Sequence, residues 1–282
     1  MTLELPSDII ARGAASKDDI PGCNVFLLGG SGSGKTHSIR TLLTAGLEVF
    51  VLFTEPGMEV LADTDPDQLH WSYIRPASPS FSDMIDSAKK INTLDFKTLS
   101  NLGDLKKSKY TNFIDILLAL DNFKCQRTGK EYGSVEDWGT NRAIVLDSLS
   151  GLSIAAMNLV VGSKPVKSQA DWGVAMDNLE RLILKLCVDT QAFFVLTAHL
   201  ERETDELTGG SVLMPSTLGR KLAPKLSRFF SDVVHVERKL DRFTWSTTTP
   251  NVDLKARNLA LKEGLPPTFV PIIKKWKDGQ KP

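Results

Sequence analysis

The chain contains Gly29-Gly30-Ser31-Gly32-Ser33-Gly34-Lys35-Thr36, which fits the pattern G-x-x-x-x-G-K-[ST]. Backbone N–H groups of such a loop wrap phosphate groups, and its glycines allow a close approach and unusual backbone dihedral angles. The helix that follows points the partial positive charge of its N-terminus at the anion. In this pattern Lys35 reaches the β- and γ-phosphates, and the hydroxyl of Thr36 binds Mg²⁺. We therefore predict a nucleoside triphosphate site at residues 29–36, extended by His37 in the first helical turn.

Short apolar runs around this loop indicate strands that alternate with amphipathic helices. Asn24–Leu28 precedes the loop as a buried strand, and residues 35–45 follow it with apolar side chains at helical spacing. This alternation predicts an α/β fold with a mostly parallel central sheet that is flanked by helices on both faces. Further strands are predicted at Glu48–Phe53, Ala143–Leu146, Ala192–Thr197, Val233–Glu237 and Arg242–Thr247 (the last two as a hairpin), and helices at Phe113–Leu120 and residues 174–187.

The charge of the chain is balanced overall but unevenly distributed. The 282 residues contain 34 Lys and Arg and 34 Asp and Glu, so the formal net charge is zero. Residues 214–282 hold 14 basic and 6 acidic side chains, whereas residues 1–213 hold 20 basic and 28 acidic ones. The chain therefore has an acidic body and a basic C-terminal quarter, and its zero net charge does not exclude a nucleic-acid partner.

Several classes of protein are excluded by what the sequence lacks. Its longest clean apolar runs, such as Val49–Phe53, are five residues, far short of the roughly 20 of a membrane-spanning helix. No basic stretch followed by an apolar one lies near Met1, so we expect no secretory signal. The three cysteines, Cys23, Cys125 and Cys187, are scattered and match neither a disulfide framework nor a metal-binding spacing. We expect a reduced, cytoplasmic protein that makes no membrane contact.

The length suits one large α/β domain. Residues 1–22 are polar and are predicted to be a flexible lead-in, and residues 23–273 are predicted to form the single domain. Within it, residues 61–140 carry irregular turn signals and are interpreted as a partly helical insertion. Residues 274–282 are predicted to be a basic, frayed tail.

Three polar side chains at strand ends are candidate catalytic groups. Asp147 closes the strand Ala143–Leu146 and is placed to hold Mg²⁺, as the second carboxylate that such a loop needs. Glu55 closes the second strand and is the candidate base that activates water, with Glu59 as the fallback. Thr197 and His199 end a later strand, where a polar side chain can sense the γ-phosphate.

These features together resemble the core of RecA-type recombinases. The resemblance is carried by the strand–loop–helix, by a glutamate that ends the next strand, and by Ile144-Val145-Leu146-Asp147-Ser148-Leu149. The closer resemblance, from about Asn24 to Arg257, is to Sak-type phage RecA-like ATPases, which are single-strand annealing proteins. It includes Gln169-Ala170-Asp171-Trp172-Gly173, Thr197-Ala198-His199-Leu200-Glu201-Arg202, Thr208-Gly209-Gly210, Gly219-Arg220-Lys221-Leu222 and Phe229-Phe230-Ser231-Asp232-Val233.

The resemblance implies hydrolysis of ATP with Mg²⁺, binding of single-stranded DNA, and self-association into a ring or filament. A single-strand binding protein is a further implied partner. DNA would contact two loops, one at Met157–Ala170 with Lys164 and Lys167, and one at Glu201–Leu218 with Arg202. The second loop is acidic at Glu201, Glu203, Asp205 and Glu206, and carboxylates repel phosphates. The nearby Arg220, Lys221, Lys225 and Arg228 are better suited by charge to neutralise a DNA backbone.

A late Lys255-x-Arg257 resembles a pair found in hexameric RecA-like motors. In those proteins the pair reaches the γ-phosphate of a neighbouring subunit, where positive charge stabilises the transition state. The resemblance therefore implies that Lys255 and Arg257 act in trans and that hydrolysis requires assembly.

Two other functional classes fit the same phosphate site. One is an oligomeric ATPase switch, of the circadian-clock or helicase-loader type, that binds a protein and not DNA. The other is a small-molecule kinase, which would need an arginine-bearing lid over the phosphates. Residues 61–140 contain only two arginines, Arg75 and Arg127, so the kinase is the least favoured interpretation.

Overall fold

A computed structural model describes residues 22–76, 80–101, 109–162, 164, 166–204 and 209–279, apart from the side chain of Arg220. The strands are β1 (Asn24–Leu28), β2 (Glu48–Phe53), β3 (Leu69–Tyr73), β4 (Arg142–Asp147), β5 (Phe193–Ala198), β6 (Leu200–Thr204), β7 (Ser211–Pro215), β8 (Asp232–Lys239) and β9 (Arg242–Ser246). Seven of them form one sheet in the order β3-β2-β4-β5-β1-β8-β9, and β6 pairs with β7 in a separate hairpin. All neighbours in the large sheet are parallel except β8 and β9, which are antiparallel.

The helices are α1 (Lys35–Ser38), α2 (Arg40–Thr44), α3 (Phe81–Thr93), α4 (Phe96–Ser100), α5 (Asn112–Asp121), α6 (Leu149–Val161), α7 (Gln169–Val188), α8 (Gly219–Leu226) and α9 (Val270–Gly279). Apolar side chains of α5, α6, α7 and α8 pack on one face of the sheet, and those of α2 and α9 pack on the other. Strands buried on both faces read as continuous apolar runs, which is why the sequence pattern located them. The predicted α/β fold, with a mostly parallel central sheet flanked by helices on both faces, is confirmed.

Helix α7 illustrates how local sequence places these layers. Its first turn carries a capping box in which Ser168 accepts from the N–H of Asp171, and Asp171 accepts from the N–H of Ser168. The predicted apolar face is buried and consists of Ala175, Leu179, Leu182, Ile183 and Leu186. Burying a leucine or isoleucine stabilises the fold by about 1.5–3 kcal/mol relative to exposure. Among the described residues, no helix is long and apolar enough to cross a bilayer.

The stretch 61–140 differs from the predicted insertion. It contains β3, which pairs in parallel with β2 and forms an edge of the main sheet. Its sequence, Leu69-His70-Trp71-Ser72-Tyr73, lacks the continuous apolar run of the central strands because an edge strand is less completely buried. The predicted helix at Phe113–Leu120 is confirmed by α5, and α3 and α4 are additional.

The predicted frayed tail is wrong for residues 274–279. They belong to α9, which buries Ile272, Ile273 and Trp276 against the sheet. The lysines that suggested a solvated tail lie on the exposed side of an amphipathic helix. Most of the predicted lead-in, residues 1–21, lies outside the described part of the chain.

The two predicted DNA loops are also shorter than expected. Helix α6 continues to Val161, so the first connection begins only at Gly162. In the second, β6 and β7 pair in antiparallel register, with Glu201 opposite Met214. Strand β6 carries three consecutive charged residues, Glu201, Arg202 and Glu203, so no alternation of polar and apolar residues marks it as a strand. The predicted hairpin of β8 and β9 is confirmed, with Leu240 at its turn in the left-handed region at φ 56°.

His70, on β3, is a buried histidine whose protonation opposes folding. Its side chain is inaccessible to solvent, and its Nδ1 lies 3.1 Å from the hydroxyl of Tyr132. Burial lowers the pKa of His70, and the carboxylate of Glu48 offsets only part of this effect. Burial lowers the pKa of His235 in the same direction.

We expect the free energy of unfolding to decrease as the pH falls below about 6.5, the ordinary pKa of histidine in an unfolded chain. Below that pH the histidine binds a proton in the unfolded state but not yet in the folded state. Each such histidine therefore lowers the free energy of unfolding by at most about 1.4 kcal/mol per pH unit. Urea unfolding between about pH 7.5 and pH 5.5 measures this slope. His70→Phe is expected to reduce the slope of the free energy of unfolding against pH, with the part due to His235 remaining. An unchanged slope would contradict the assignment of this effect to His70.

Candidate functional site

The glycine-rich loop joins β1 to α1 at the carboxyl edge of the sheet. Two of its glycines are required by close packing. A Cβ atom at Gly29 would lie 2.4 Å from the carbonyl oxygen of Val236, and one at Gly34 would lie 2.8 Å from Cδ1 of Phe243. Gly34 also has φ 95°, a conformation that favours glycine. The loop is thus pressed against the β8–β9 hairpin.

Lys35 is held inside the loop that it follows. Its Nζ donates hydrogen bonds of 2.8 Å to the carbonyl oxygens of both Gly29 and Gly30, and the residue is only 6% exposed. Burial lowers the pKa of Lys35, while the charges of Asp147 and Glu55 partly oppose this shift. An anion at the loop would stabilise this buried ammonium group, which is the role predicted for Lys35 toward phosphates.

Asp147 ends β4 and accepts hydrogen bonds from two threonines. Thr36 donates to its Oδ2 at 2.7 Å, and Thr197, on β5, donates to its Oδ1 at 2.6 Å. The hydroxyl of Thr36 and the carboxylate of Asp147 are hard oxygen donors, which suit Mg²⁺ when phosphates and water complete the coordination. No cluster of three or more His, Cys, Asp and Glu side chains suited to a metal lies within the described residues. The pair therefore fits a phosphate-bound Mg²⁺ better than a metal held by protein alone.

Glu55 and His199 face each other across the same cleft. Ser148 Oγ donates to Glu55 Oε2 at 2.8 Å, and His199 Nε2 lies 3.4 Å from the same oxygen. Both side chains are about one-third exposed, so water can reach them. Glu59 is exposed on the 3₁₀ turn Met58–Leu61 and does not line the cleft.

These groups surround one cleft of about 690 Å³, a size within the usual range of small-molecule sites. The predicted residues from Ser31 to His37 line the cleft together with Glu55, Asp147 and His199. Gly29 and Gly30 begin the glycine-rich loop but are not among the residues that line the cleft. Two contributors were missed by the sequence interpretation. Ser148 donates to Glu55, and Phe243, from β9, lines the cleft beside Gly34 of the loop. No sequence signal marks Phe243, because only the sheet topology brings it beside the loop.

Lys255 and Arg257 lie away from this cleft. The N–H of Arg257 donates to Asp232, the first residue of β8, at the sheet edge opposite the glycine-rich loop. Nζ of Lys255 donates to the carbonyl oxygen of Phe230 at 2.6 Å, and burial lowers its pKa, with repulsion from Arg257 adding to the shift. Arg257 is exposed, whereas the ammonium group of Lys255 is used within its own chain.

The candidate DNA-binding residues of the two predicted loops lie in different settings. Lys164 forms an ion pair of 2.8 Å with Asp171. Nζ of Lys167 is 5.5 Å from the centre of the Trp172 ring. Arg202 is exposed on β6, in the hairpin that also carries the acidic residues. The structure does not bring these three side chains into a single cluster with the cleft.

The remaining candidates belong to α8 and the turn that follows it. Lys221 and Arg228 are exposed and form no ion pair within the described residues, whereas Lys225 pairs with Glu180 at 3.2 Å. The side chain of Arg220 lies outside the described part of the structure. The opposite side of α8 is apolar and buried, so its basic side faces solvent.

Two solved structures that are similar to this chain are ATPases of type III secretion systems. One is a prototypical ATPase from the type III secretion system of pathogenic bacteria, with a TM-score of 0.40 and 14% sequence identity, covering 84% of this chain and 58% of that chain. The other is the assembled ATPase EscN from the enteropathogenic E. coli type III secretion system, with a TM-score of 0.38 and 15% identity, covering 84% of this chain and 48% of that chain. The chain thus spans about half the length of these two proteins.

No curated protein has a matching sequence. The family model AAA_24, described as an AAA domain, matches residues 22–258. The matched range contains the glycine-rich loop, Glu55, Asp147 and His199, and it covers most of the chain. The chain therefore belongs to the AAA_24 family and is an AAA-type P-loop ATPase domain.

Proposed function

We propose that this ATPase domain couples ATP hydrolysis to the recombination or annealing of single-stranded DNA, as a phage-encoded RecA-like protein in the host cytoplasm. The observation that carries the ATPase part is the convergence of Lys35, Thr36, Asp147 and Glu55 on one cleft. Mg²⁺, held by Thr36 and Asp147, would neutralise part of the charge on the phosphates.

Glu55 is the proposed base. It accepts a proton from the attacking water while the water oxygen bonds to the γ-phosphorus and the bond to the bridging oxygen of ADP breaks. Ser148 donates to Oε2 of Glu55, and His199 Nε2 lies 3.4 Å from the same oxygen, so these contacts would hold the carboxylate in place for this role. Lys35 stabilises negative charge on the transferred group. His199 also begins the connection to the β6–β7 hairpin, so loss of the γ-phosphate can alter that hairpin.

The DNA part of the proposal is supported by charge. Lys221, on α8, and Arg228, in the turn that follows it, are exposed cations without an ion pair among the described residues, next to the partly neutralised Lys225. The acidic β6–β7 hairpin, with Glu201 exposed, is less suited to a phosphate backbone. We therefore place the main DNA contact on α8 and not on the second predicted loop.

The double variant Lys221→Ala/Arg228→Ala is expected to weaken binding of a fluorescent oligodeoxythymidine in the presence of ATP and Mg²⁺. The slope of log affinity against log salt should become less steep by about 1.4, since each single-strand phosphate contact contributes about 0.7. Fluorescence anisotropy at several salt concentrations measures both changes.

Lys274→Ala/Lys277→Ala is the matched control, because it removes the same charge from α9 on the opposite face of the sheet. Binding that weakens equally in both variants would indicate a non-specific effect of net charge. The DNA role is contradicted if the unmodified protein fails to bind at low salt.

Self-association completes the proposal. Arg257 is exposed at the sheet edge opposite its own cleft, so it is available to a cleft in a second copy. Lys255, with its Nζ on a main-chain carbonyl, would hold this segment in place and not enter the neighbouring site. A single-strand binding protein remains a proposed further partner.

A second candidate function is an ATPase switch that binds a protein. The β6–β7 hairpin favours it, because this acidic element follows His199 directly and is exposed at Glu201. Intact ATPase activity without DNA binding at any salt concentration would favour this candidate.

A further inference from the structure

We propose that Phe243, on β9, stacks against the nucleobase of the bound nucleotide and tolerates different bases. The inference rests on the proposed ATP site and adds a subsite to it. Phe243 lines the same cleft as the glycine-rich loop, and its strand lies on the other side of β1 from the strands that carry the carboxylates.

The order of the strands gives the cleft two ends. The glycine-rich loop follows β1, and the groups for hydrolysis lie on one side of it, at the ends of β2, β4 and β5. Strands β8 and β9 lie on the other side of β1. A triphosphate that binds the loop with its γ-phosphate at Glu55 must therefore extend its nucleoside toward the β8–β9 hairpin. Phe243 is the aromatic residue of that hairpin that lines the cleft.

The ring of Phe243 is held in place and remains accessible. It packs against Gly34, where a Cβ atom would lie 2.8 Å from its Cδ1. The guanidinium of Arg238, its partner across the hairpin, lies 5.7 Å from the ring centre. Phe243 is still 38% exposed, so a ligand can reach the ring. A fixed, accessible ring beside a phosphate site is suited to a second flat, apolar group.

Stacking explains why we expect little selectivity among bases. Every nucleobase has a π-face, and base–aromatic stacking tolerates changes of sequence. The amide side chains of Asn and Gln both donate and accept, and can therefore read the edge of a base. The described lining of the cleft contains neither.

The experiment compares ligands with and without a base. In Phe243→Leu, which keeps an apolar side chain against Gly34 but removes the π-system, we expect the affinities for ATP and GTP to fall about 10-fold to 100-fold. The affinity for inorganic tripolyphosphate should change less than about 2-fold, because that ligand has no base to stack. Phe243→Trp should keep nucleotide binding near that of the unmodified protein.

Leu240→Ala is the matched control, since Leu240 lies at the tip of the same hairpin, is 94% exposed and does not line the cleft. Isothermal titration calorimetry with Mg²⁺ measures all three ligands. A parallel loss of ATP and tripolyphosphate in Phe243→Leu would overturn the proposal, because the ring would then act only by shaping the loop. A preference of the unmodified protein for ATP over GTP beyond about 10-fold would overturn the base tolerance. If the unmodified protein bound neither ATP nor tripolyphosphate, the ATP site itself would be wrong.

Discussion

Lys35→Ala is expected to reduce ATP hydrolysis by at least about 100-fold to 1000-fold, the usual cost of removing a group that stabilises transition-state charge. Lys35 is the cation inside the glycine-rich loop, and its Nζ is held by the carbonyl oxygens of Gly29 and Gly30 within 2.8 Å. No other lysine or arginine lines the described cleft, so no second side chain of this kind could replace the positive charge of Lys35 there. Release of inorganic phosphate with saturating ATP and Mg²⁺ measures the effect.

The fold should survive this substitution. Two carbonyl oxygens lose a donor, which costs about 1–3 kcal/mol for a buried polar group left unpaired. Removing a buried charge offsets part of that cost, because burial already disfavours the ammonium form and lowers the pKa of Lys35. Lys274→Ala is the matched control, since Lys274 is an exposed lysine on α9. Hydrolysis that persisted in Lys35→Ala would remove the phosphate-site assignment.

The parts of the molecule that could be predicted from sequence are those that depend on neighbouring residues. The glycine-rich loop is a continuous motif, and the apolar strands that flank it are buried on both faces, so composition alone identifies them. Asp147 and Glu55 could be located in the same way, because each stands at the carboxyl end of a strand, and these ends lie at one edge of a parallel sheet with the loop.

The parts that could not be predicted depend on contacts between distant segments. Phe243 reaches Gly34 only because β8 pairs with β1 and β9 pairs with β8, an order that no local pattern specifies. The sequence predicted a tail for α9 because its three lysines equal its three buried apolar side chains in number, and its apolar side is recognised only once the sheet face that receives it is known. Strand β3 was not predicted for a similar reason. It lies at the edge of the sheet with β2 as its one neighbour, and its sequence mixes polar and apolar residues.

Glu55→Gln is expected to bind ATP with little change and to hydrolyse it about 100-fold to 10,000-fold more slowly, the range attributed to general-base catalysis. The amide keeps the size of the carboxylate and can still accept from Ser148, so the local structure should persist. It cannot take a proton from water at neutral pH, which removes the proposed chemical role. Equilibrium binding of ATP and single-turnover hydrolysis, measured on the same preparation, separate the two effects.

Glu59→Gln is the informative comparison, because Glu59 is four residues away, carries the same charge and is exposed outside the cleft. If Glu55 is the base, Glu59→Gln should hydrolyse ATP at nearly the unmodified rate. The reverse result, slow hydrolysis in Glu59→Gln and an unchanged rate in Glu55→Gln, would assign the base to the 3₁₀ turn. Glu55 would then serve to position His199, whose Nε2 lies 3.4 Å from its carboxylate, and the Ser148–Glu55–His199 contacts would belong to sensing of the γ-phosphate and not to activation of water.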